Sequence, residues 1–362
     1  MNFEQARAQF PVLERLAYLN AGSMGPLARA TVEAMRSREE ADLEHGRGGR
    51  AFVDELLALR ERVRAGLAQV IGVDPANVAL TASTTDACQI VVAGLDLTSD
   101  DEVVTTDSEH FGLIGPLHAS SARIRVARVR DLPPEQALEA ILAELSPRTR
   151  LLALSHVSWL TGNLFPIEEL REAADVPLLV DGAQAAGTIP VDAAAYDFYT
   201  VSAQKWLCGP DATGALYVRD PEALRVALPT YFSQVAHEPS GEYTPKPGAA
   251  RFDGGWIPSG ALAGLEAALG TIPTWGARHA AEITARCWAR LSERFDVATA
   301  PGQATLVSFV PGGDPPAVAA TLYEAGVVVR EMPGTPWVRV SCGWWTSDAD
   351  LDRLCDALHA LS

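Results

Sequence analysis

The chain has 362 residues, of which 48% are hydrophobic and 21% charged, with 29 basic against 46 acidic side chains for a formal net charge of −17. At roughly 150 residues per domain this is room for two domains or one large core with an appendage, and the composition is that of a folding globular chain. The acidic balance argues against nucleic acid or an anionic membrane as partner, since both need clustered cations.

In chain order, Leu27 to Glu44 and Phe52 to Val70 carry apolar residues at helical spacing. From about Val78 to Val218, β-rich runs alternate with helical patterns, which predicts a mostly parallel, seven-stranded sheet covered on both faces. The predicted strands are Val78 to Thr81, Glu102 to Thr106, Arg123 to Val126, Arg150 to Ser155, Pro177 to Val180, Phe198 to Ser202 and Gly214 to Val218. The intervening helices are Thr84 to Ala93, Pro134 to Leu145 and Pro166 to Ala174, two of them opening on proline, whose missing N–H costs nothing in a first turn. Periodicity fades from Pro221 to Gly255, and a long irregular connection of this kind is usually functional. Beyond it, helices are predicted at Ser259 to Leu269, Arg278 to Phe295, Ala317 to Ala325 and Asp348 to Leu361. Strands at Thr305 to Val310, Val327 to Arg330 and Trp337 to Ser341 complete a smaller α+β domain. The expected division is residues 1–245 for the large domain and 246–362 for the small one.

Cys88, Cys208, Cys287, Cys342 and Cys355 form no C-x-x-C pair, which removes support for structural zinc and disulfides. The N-terminus lacks the apolar core of a signal peptide, and no stretch approaches the roughly 18 apolar residues of a membrane span. A cytoplasmic protein with reduced thiols, binding no metal, is expected.

Only Lys205 and Lys246 are lysine; every other basic residue is arginine. A guanidinium serves wherever a surface charge is wanted but cannot act as a nucleophilic amine, so the surviving lysines draw attention. Lys246 lies in the loop-like TPKPG, whereas Lys205 ends the strand run of DFYTVSAQKWLCGP with Ser202 and Gln204 beside it. Asp181 ends the buried run of LLVDGAQAAG, at the strand end where open α/β folds hold ligands; alone it also fits a helix cap or a turn-forming residue. Ser83, Thr84 and Thr85, in ALTASTTDACQI, can present hydroxyls and helix-end amides to a phosphate, or simply cap a helix. A lysine for a Schiff base, a carboxylate for a ring nitrogen and a phosphate cradle are together what pyridoxal phosphate (PLP) needs. No G-x-G-x-x-G follows a strand, which disfavours a dinucleotide-binding alternative.

With these motifs, and with FPVLERLAYLNAGS, SEHFG, FDGGW and WVRVSCGWWTSDADLDRL, the chain resembles class V aminotransferases of fold type I, which include cysteine desulfurases and isopenicillin N epimerase-like enzymes. The resemblance implies that Lys205 forms the Schiff base and moves the substrate α proton. It implies that Asp181 pairs with the ring nitrogen and that His110 stacks on the ring. Ser83, Thr84, Thr85, Ser202 and Gln204 then surround the phosphate, and Gln184 lies near the ring hydroxyl. Gly255 and Trp256 would reach a neighbouring subunit's phosphate site, which implies a homodimer. Arg339, assisted by Asn20, would hold the carboxylate of an amino-acid substrate, a task suited to a planar guanidinium.

Two departures stand out. Trp159 occupies a position where desulfurases usually carry asparagine, and the short REMPGTPW connection has no loop cysteine for persulfide chemistry. Cleavage of a C–S or other β-substituent is therefore expected without an enzyme persulfide. Epimerisation, amine transfer, and a ligand-binding protein without turnover are the alternatives. Trp159, Trp206, Trp256 and Trp344 are candidates to line an aromatic pocket.

Overall fold

The computed structural model describes residues 1–361. Its large sheet runs, edge to edge, Val78–Thr81, Gly214–Val218, Phe198–Ser202, Leu178–Asp181, Thr149–Ser155, Glu102–Thr106, Arg123–Ala127. Gly214–Val218 is antiparallel to both its neighbours, and the other strands run parallel to one another. Every predicted strand of this sheet is present to within a residue.

Alternation along the strands decides what each face holds. Leu178, Val180, Tyr199 and Val201 pack on one face with Leu59, Val63 and Leu67 of the Arg50–Val70 helix and Leu262 and Leu265 of the Ser259–Thr271 helix. Leu179, Phe198, Leu151 and Ala153 face the other way, onto Ala87, Cys88 and Val91 of the Thr84–Gly94 helix. By the same period of two, Asp181, Thr200, Ser202 and Ser155 fall on this second face at the strand ends. The parity that buries the leucines thus turns the polar strand ends toward the start of the Thr84–Gly94 helix.

The small sheet is ordered Asp296–Val297, Leu306–Val310, Val338–Ser341, Arg330–Glu331, all antiparallel. Val307, Phe309, Val338, Val340 and Cys342 join its own core with Ile283, Cys287, Leu351 and Leu354. Alternation therefore turns Ser308, Arg339 and Ser341 away from that core.

The structure corrects several local expectations. The strand expected over Val327 to Arg330 is two: Val327–Val328 pairs with Ala17–Tyr18, and Arg330–Glu331 joins the small sheet. A helix at Phe111–Ala119 went unread because Gly112, Gly115 and Pro116 are poor helix formers. Pro166 caps its helix from outside rather than opening it, and the irregular region holds a short antiparallel pair, Gln234–His237 with Tyr243–Pro245. No helix among the described residues is long and apolar enough to cross a membrane.

Candidate active site

Gly182 follows Asp181 because nothing larger fits: a Cβ there would lie 2.2 Å from the Tyr199 ring. The Asp181 carboxylate, 4% exposed, accepts from the Ala183 amide at 2.9 Å and the Thr200 hydroxyl at 3.4 Å. Burial raises its pKa, while Lys205 pulls in the opposite direction. Lys205 lies in the turn after Phe198–Ser202, and burial brings its amine down to about 8, with Asp181 opposing and Arg339 and Arg330 adding to the fall. A lysine poised this close to neutrality is available as nucleophile or base.

His110 caps the Phe111–Ala119 helix, its Nδ1 accepting from the Gly112 amide at 3.0 Å. Burial, then Lys205, Arg330 and Arg339, lower its pKa to about 4, so the ring is neutral at physiological pH. Its ring meets Trp159 edge to face, with centroids 4.9 Å apart. Across the sheet, the Thr84 and Ser202 hydroxyls lie 2.7 Å apart at the head of the Thr84–Gly94 helix. Ser83 is that helix's N-cap, its hydroxyl accepting from the Asp86 amide, and Thr85 faces Gly112.

Arg339 is fully buried, donating to the Trp159 carbonyl at 2.6 Å and to the Ser23 hydroxyl at 3.4 Å. Directly opposite in register is Arg330, which donates to the same hydroxyl at 3.0 Å. Ser23 in turn donates to Asn20 Oδ1 at 2.8 Å, so Asn20 acts on the arginines through Ser23. Burial and the neighbouring Arg330 both lower the proton affinity of Arg339. An anion between the two guanidinium groups would reverse that.

The Ala21–Gly25 segment crosses from the small sheet to the rim of the large one, where the Gly25 amide donates to the Gln204 carbonyl at 2.7 Å. A Cβ on Gly25 would stand 2.0 Å from the Lys205 carbonyl oxygen, which makes glycine obligatory at that crossing.

The structure thus gathers Asp181, Lys205, His110, Thr84, Ser202, Arg339 and Asn20 about one crevice. Gln184 lies in the turn after Asp181, its amide donating to the Gly22 carbonyl at 2.8 Å and accepting from the Trp206 indole at 3.0 Å, with one N–H and one lone pair left over. Gly255 and Trp256 stand apart at the sheet edge, where Trp256 is 69% exposed and packs on Tyr231 and Phe232. Of the four tryptophans only Trp159 adjoins the crevice. Trp206 is core, and Trp344 packs with Phe10, Trp275 and Trp345. Arg330 and Ser23 were missed from sequence; the signals were a second arginine nine residues before Arg339 and the small residues after Asn20.

Gln204 Oε1, Trp159 Nε1, Arg339 Nε and Ser341 Oγ are buried without a hydrogen-bond partner. Buried polar atoms are nearly always satisfied, so this group fits a site that a polar, anionic ligand completes. An amine, a carboxylate and a helix-head hydroxyl pair in one crevice are the donor set that PLP requires.

Comparison with known proteins agrees. The chain is 29% identical to isopenicillin N epimerase of Streptomyces clavuligerus over 401 aligned positions, covering 100% of this chain and 98% of the relative. It is 31% identical to a cysteine desulfurase of Klebsiella pneumoniae over 307 positions, covering 77% and 74%. Among solved structures, a C-DES mutant with glycine covalently linked to its PLP cofactor superposes with a TM-score of 0.90 at 29% identity, covering 97% of this chain and 98% of that one. The cystine C–S lyase C-DES in complex with cysteine persulfide superposes at 0.89, again at 29% identity, over 97% and 99%. The Aminotransferase class-V family model matches residues 18–351, and with the site and fold above the chain belongs to that family, as a PLP-dependent enzyme of fold type I with lyase-type chemistry.

Proposed function

We propose that this enzyme cleaves the Cβ–S bond of a cysteine-derived amino acid by β-elimination, with none of its own thiols receiving the sulfur. The observation that carries the reading is the pair Arg330 and Arg339, converging on Ser23 and near enough to Lys205 to help lower its pKa, with no cysteine hydrogen-bonded to either among the described residues. Cys342 follows Ser341 on the strand and points into the small-domain core, where it contacts Cys287. Cys208 and Cys88 are enclosed in other clusters. The likeness to C-DES supports a disulfide-bearing substrate such as cystine.

PLP, when bound, supplies the electron sink that acidifies the substrate Cα–H. Thr84, Ser202, Ser83, Thr85 and Gln204 would hold its phosphate and Asp181 its ring nitrogen, and His110 would stack on the ring. Arg339 and Arg330 fix the substrate carboxylate by charge-assisted hydrogen bonds, orienting the Cα–H toward Lys205. Lys205 Nζ takes the Cα proton, the C–S electron pair leaves on sulfur, and the same amine returns the proton to the departing thiolate, a persulfide anion where the substrate is cystine; water then converts the released enamine to keto acid and ammonia. The match to the epimerase along the whole chain supports a second reading, in which the proton returns to Cα from the opposite face.

The proposal includes a cytoplasmic homodimer whose Gly255 and Trp256 reach the partner's phosphate site, a role the exposure of Trp256 supports. It also includes the division at residues 245/246, with the Ser259–Thr271 helix packed back on the large core and Ala17–Tyr18 paired with Val327–Val328.

The test is incubation with cystine, cysteine and a panel of other amino acids, following keto acid, ammonia, persulfide sulfur and optical rotation together. Cystine should yield all three products, and Lys205→Ala none. Loss of chirality without keto acid would replace elimination by epimerisation.

A further inference from the structure

Glu109 has no part in the chemistry above, yet its carboxylate is the most heavily engaged acidic group near the crevice. Oε2 accepts from both the amide and the hydroxyl of Ser155, at 2.9 and 2.5 Å, and Oε1 accepts from the Thr106 hydroxyl at 2.6 Å. Thr106 ends one strand of the large sheet, Ser155 ends its neighbour, and Ser155 stands in register with Asp181 on the next. His110 is the following residue. One carboxylate therefore joins the two strand ends that lie between the proposed ring-stacking histidine and the proposed ring-nitrogen partner.

We propose that Glu109 is a positioning residue for the cofactor: it locks the Thr106 and Ser155 strand ends together, holds His110 through the adjoining peptide, and sets a second carboxylate behind Asp181. The proposal rests on the PLP reading of the site. Three donors converge on Glu109, the pattern of an ionised acceptor. Burial and, more weakly, Asp181 act against that charge, and together with the Ser155 and Thr106 hydrogen bonds they leave its pKa at about 7. Cys88, the other titratable group facing it, is held neutral by burial. A negative charge at Glu109 favours a cation at Asp181, and so the protonated ring nitrogen that an electron sink requires.

Two variants separate bracing from charge. Glu109→Gln keeps an acceptor for Ser155 and offers an amide to Thr106, so the brace survives and the charge is lost; Glu109→Ala removes both. Apo-protein would be titrated with PLP at about pH 8, with urea unfolding measured in parallel. E109Q should keep the wild-type urea midpoint and bind PLP about tenfold more weakly, equivalent to ~1.4 kcal/mol. E109A should lose both midpoint and further affinity. Wild-type affinity in E109Q, or losses in both variants that only follow the fraction unfolded, would overturn the proposal. Failure of wild-type apo-protein to take up PLP would instead break the cofactor reading.

Discussion

Two pairs of arginines, the fully buried Arg60 and Arg64 beside the large sheet and the buried Arg339 with the half-buried Arg330 on the small one, differ in one respect. Arg60 and Arg64, on the Arg50–Val70 helix, close on Asp253: Arg64 bidentately at 2.9 and 2.8 Å, Arg60 at 3.1 Å, while the Leu80 amide donates at 2.9 Å. Arg330 and Arg339 make no ion pair among the described residues; they share the Ser23 hydroxyl, and Arg339 alone also donates to the Trp159 carbonyl. Burial alone would raise the Asp253 pKa, but Arg64 and then Arg60 hold it below the usual carboxylate range. Desolvating a guanidinium costs several kcal/mol unless an anion compensates. The first pair finds its anion in the chain and braces the fold, whereas the second is left for an anion that arrives with the substrate.

The sharpest way to break this contrast is to remove the internal anion. Asp253→Ala strands Arg60 and leaves Arg64 only the exposed Glu61, and should cost about 3–5 kcal/mol of stability, read as a fall in the urea midpoint. Arg339→Ala should behave in the opposite sense. Removing an uncompensated buried cation should leave the midpoint unchanged or raised, while kcat/KM falls by the equivalent of about 2–5 kcal/mol as the carboxylate anchor is lost. A large stability loss in Arg339→Ala with kcat/KM preserved would show that both pairs are structural.

The same contrast marks what was legible in the sequence. The strands were, because β-branched runs separated by helical patterns need only local information, and Lys205 stood out against a background of arginine. Arg339 was read from its motif, but Arg330 was absorbed into a strand continuing from Val327. Its true partner is set by the hairpin register across Met332–Trp337, which local patterning does not encode. Ser23 escaped for a similar reason, since its two guanidinium partners lie 307 and 316 residues away. Gln184 was legible as a residue of the turn after Asp181, but its hydrogen bonds to Gly22 and Trp206 are pairings that only the tertiary fold reveals.

Lys205 sharpens the comparison from the titration side, because it too is cationic and lies beside the unpaired arginines. Its folded pKa of about 8 is below the ordinary 10.5, so between those values the unfolded chain holds more protons and stability should rise with pH. Lys205→Met should flatten that rise in apo-protein, measured as urea midpoints from pH 7.5 to 10.5. Retention of the full slope in the variant would place the titrating group elsewhere.

The smallest effect is expected at the thiols, where the two regions make opposite demands. A thiol that receives sulfur must reach the arginine-lined crevice and carry thiolate character. Burial raises Cys208 and Cys88 well above their ordinary range, and for Cys287 the hydrogen bond with Cys342, followed by burial, does the same. Cys355, on the last helix, is raised by burial as well. Cys342 comes nearest in sequence to Arg339, but it directly follows Ser341, so the strand's alternation sends its sulfur to the opposite side. Cys208→Ala and Cys342→Ala should then each keep activity within about tenfold, or ~1.4 kcal/mol in barrier. A persulfide mass shift on either cysteine, joined to loss of sulfur release in its alanine variant, would restore a desulfurase mechanism and remove the argument that the arginine pair acts on substrate alone.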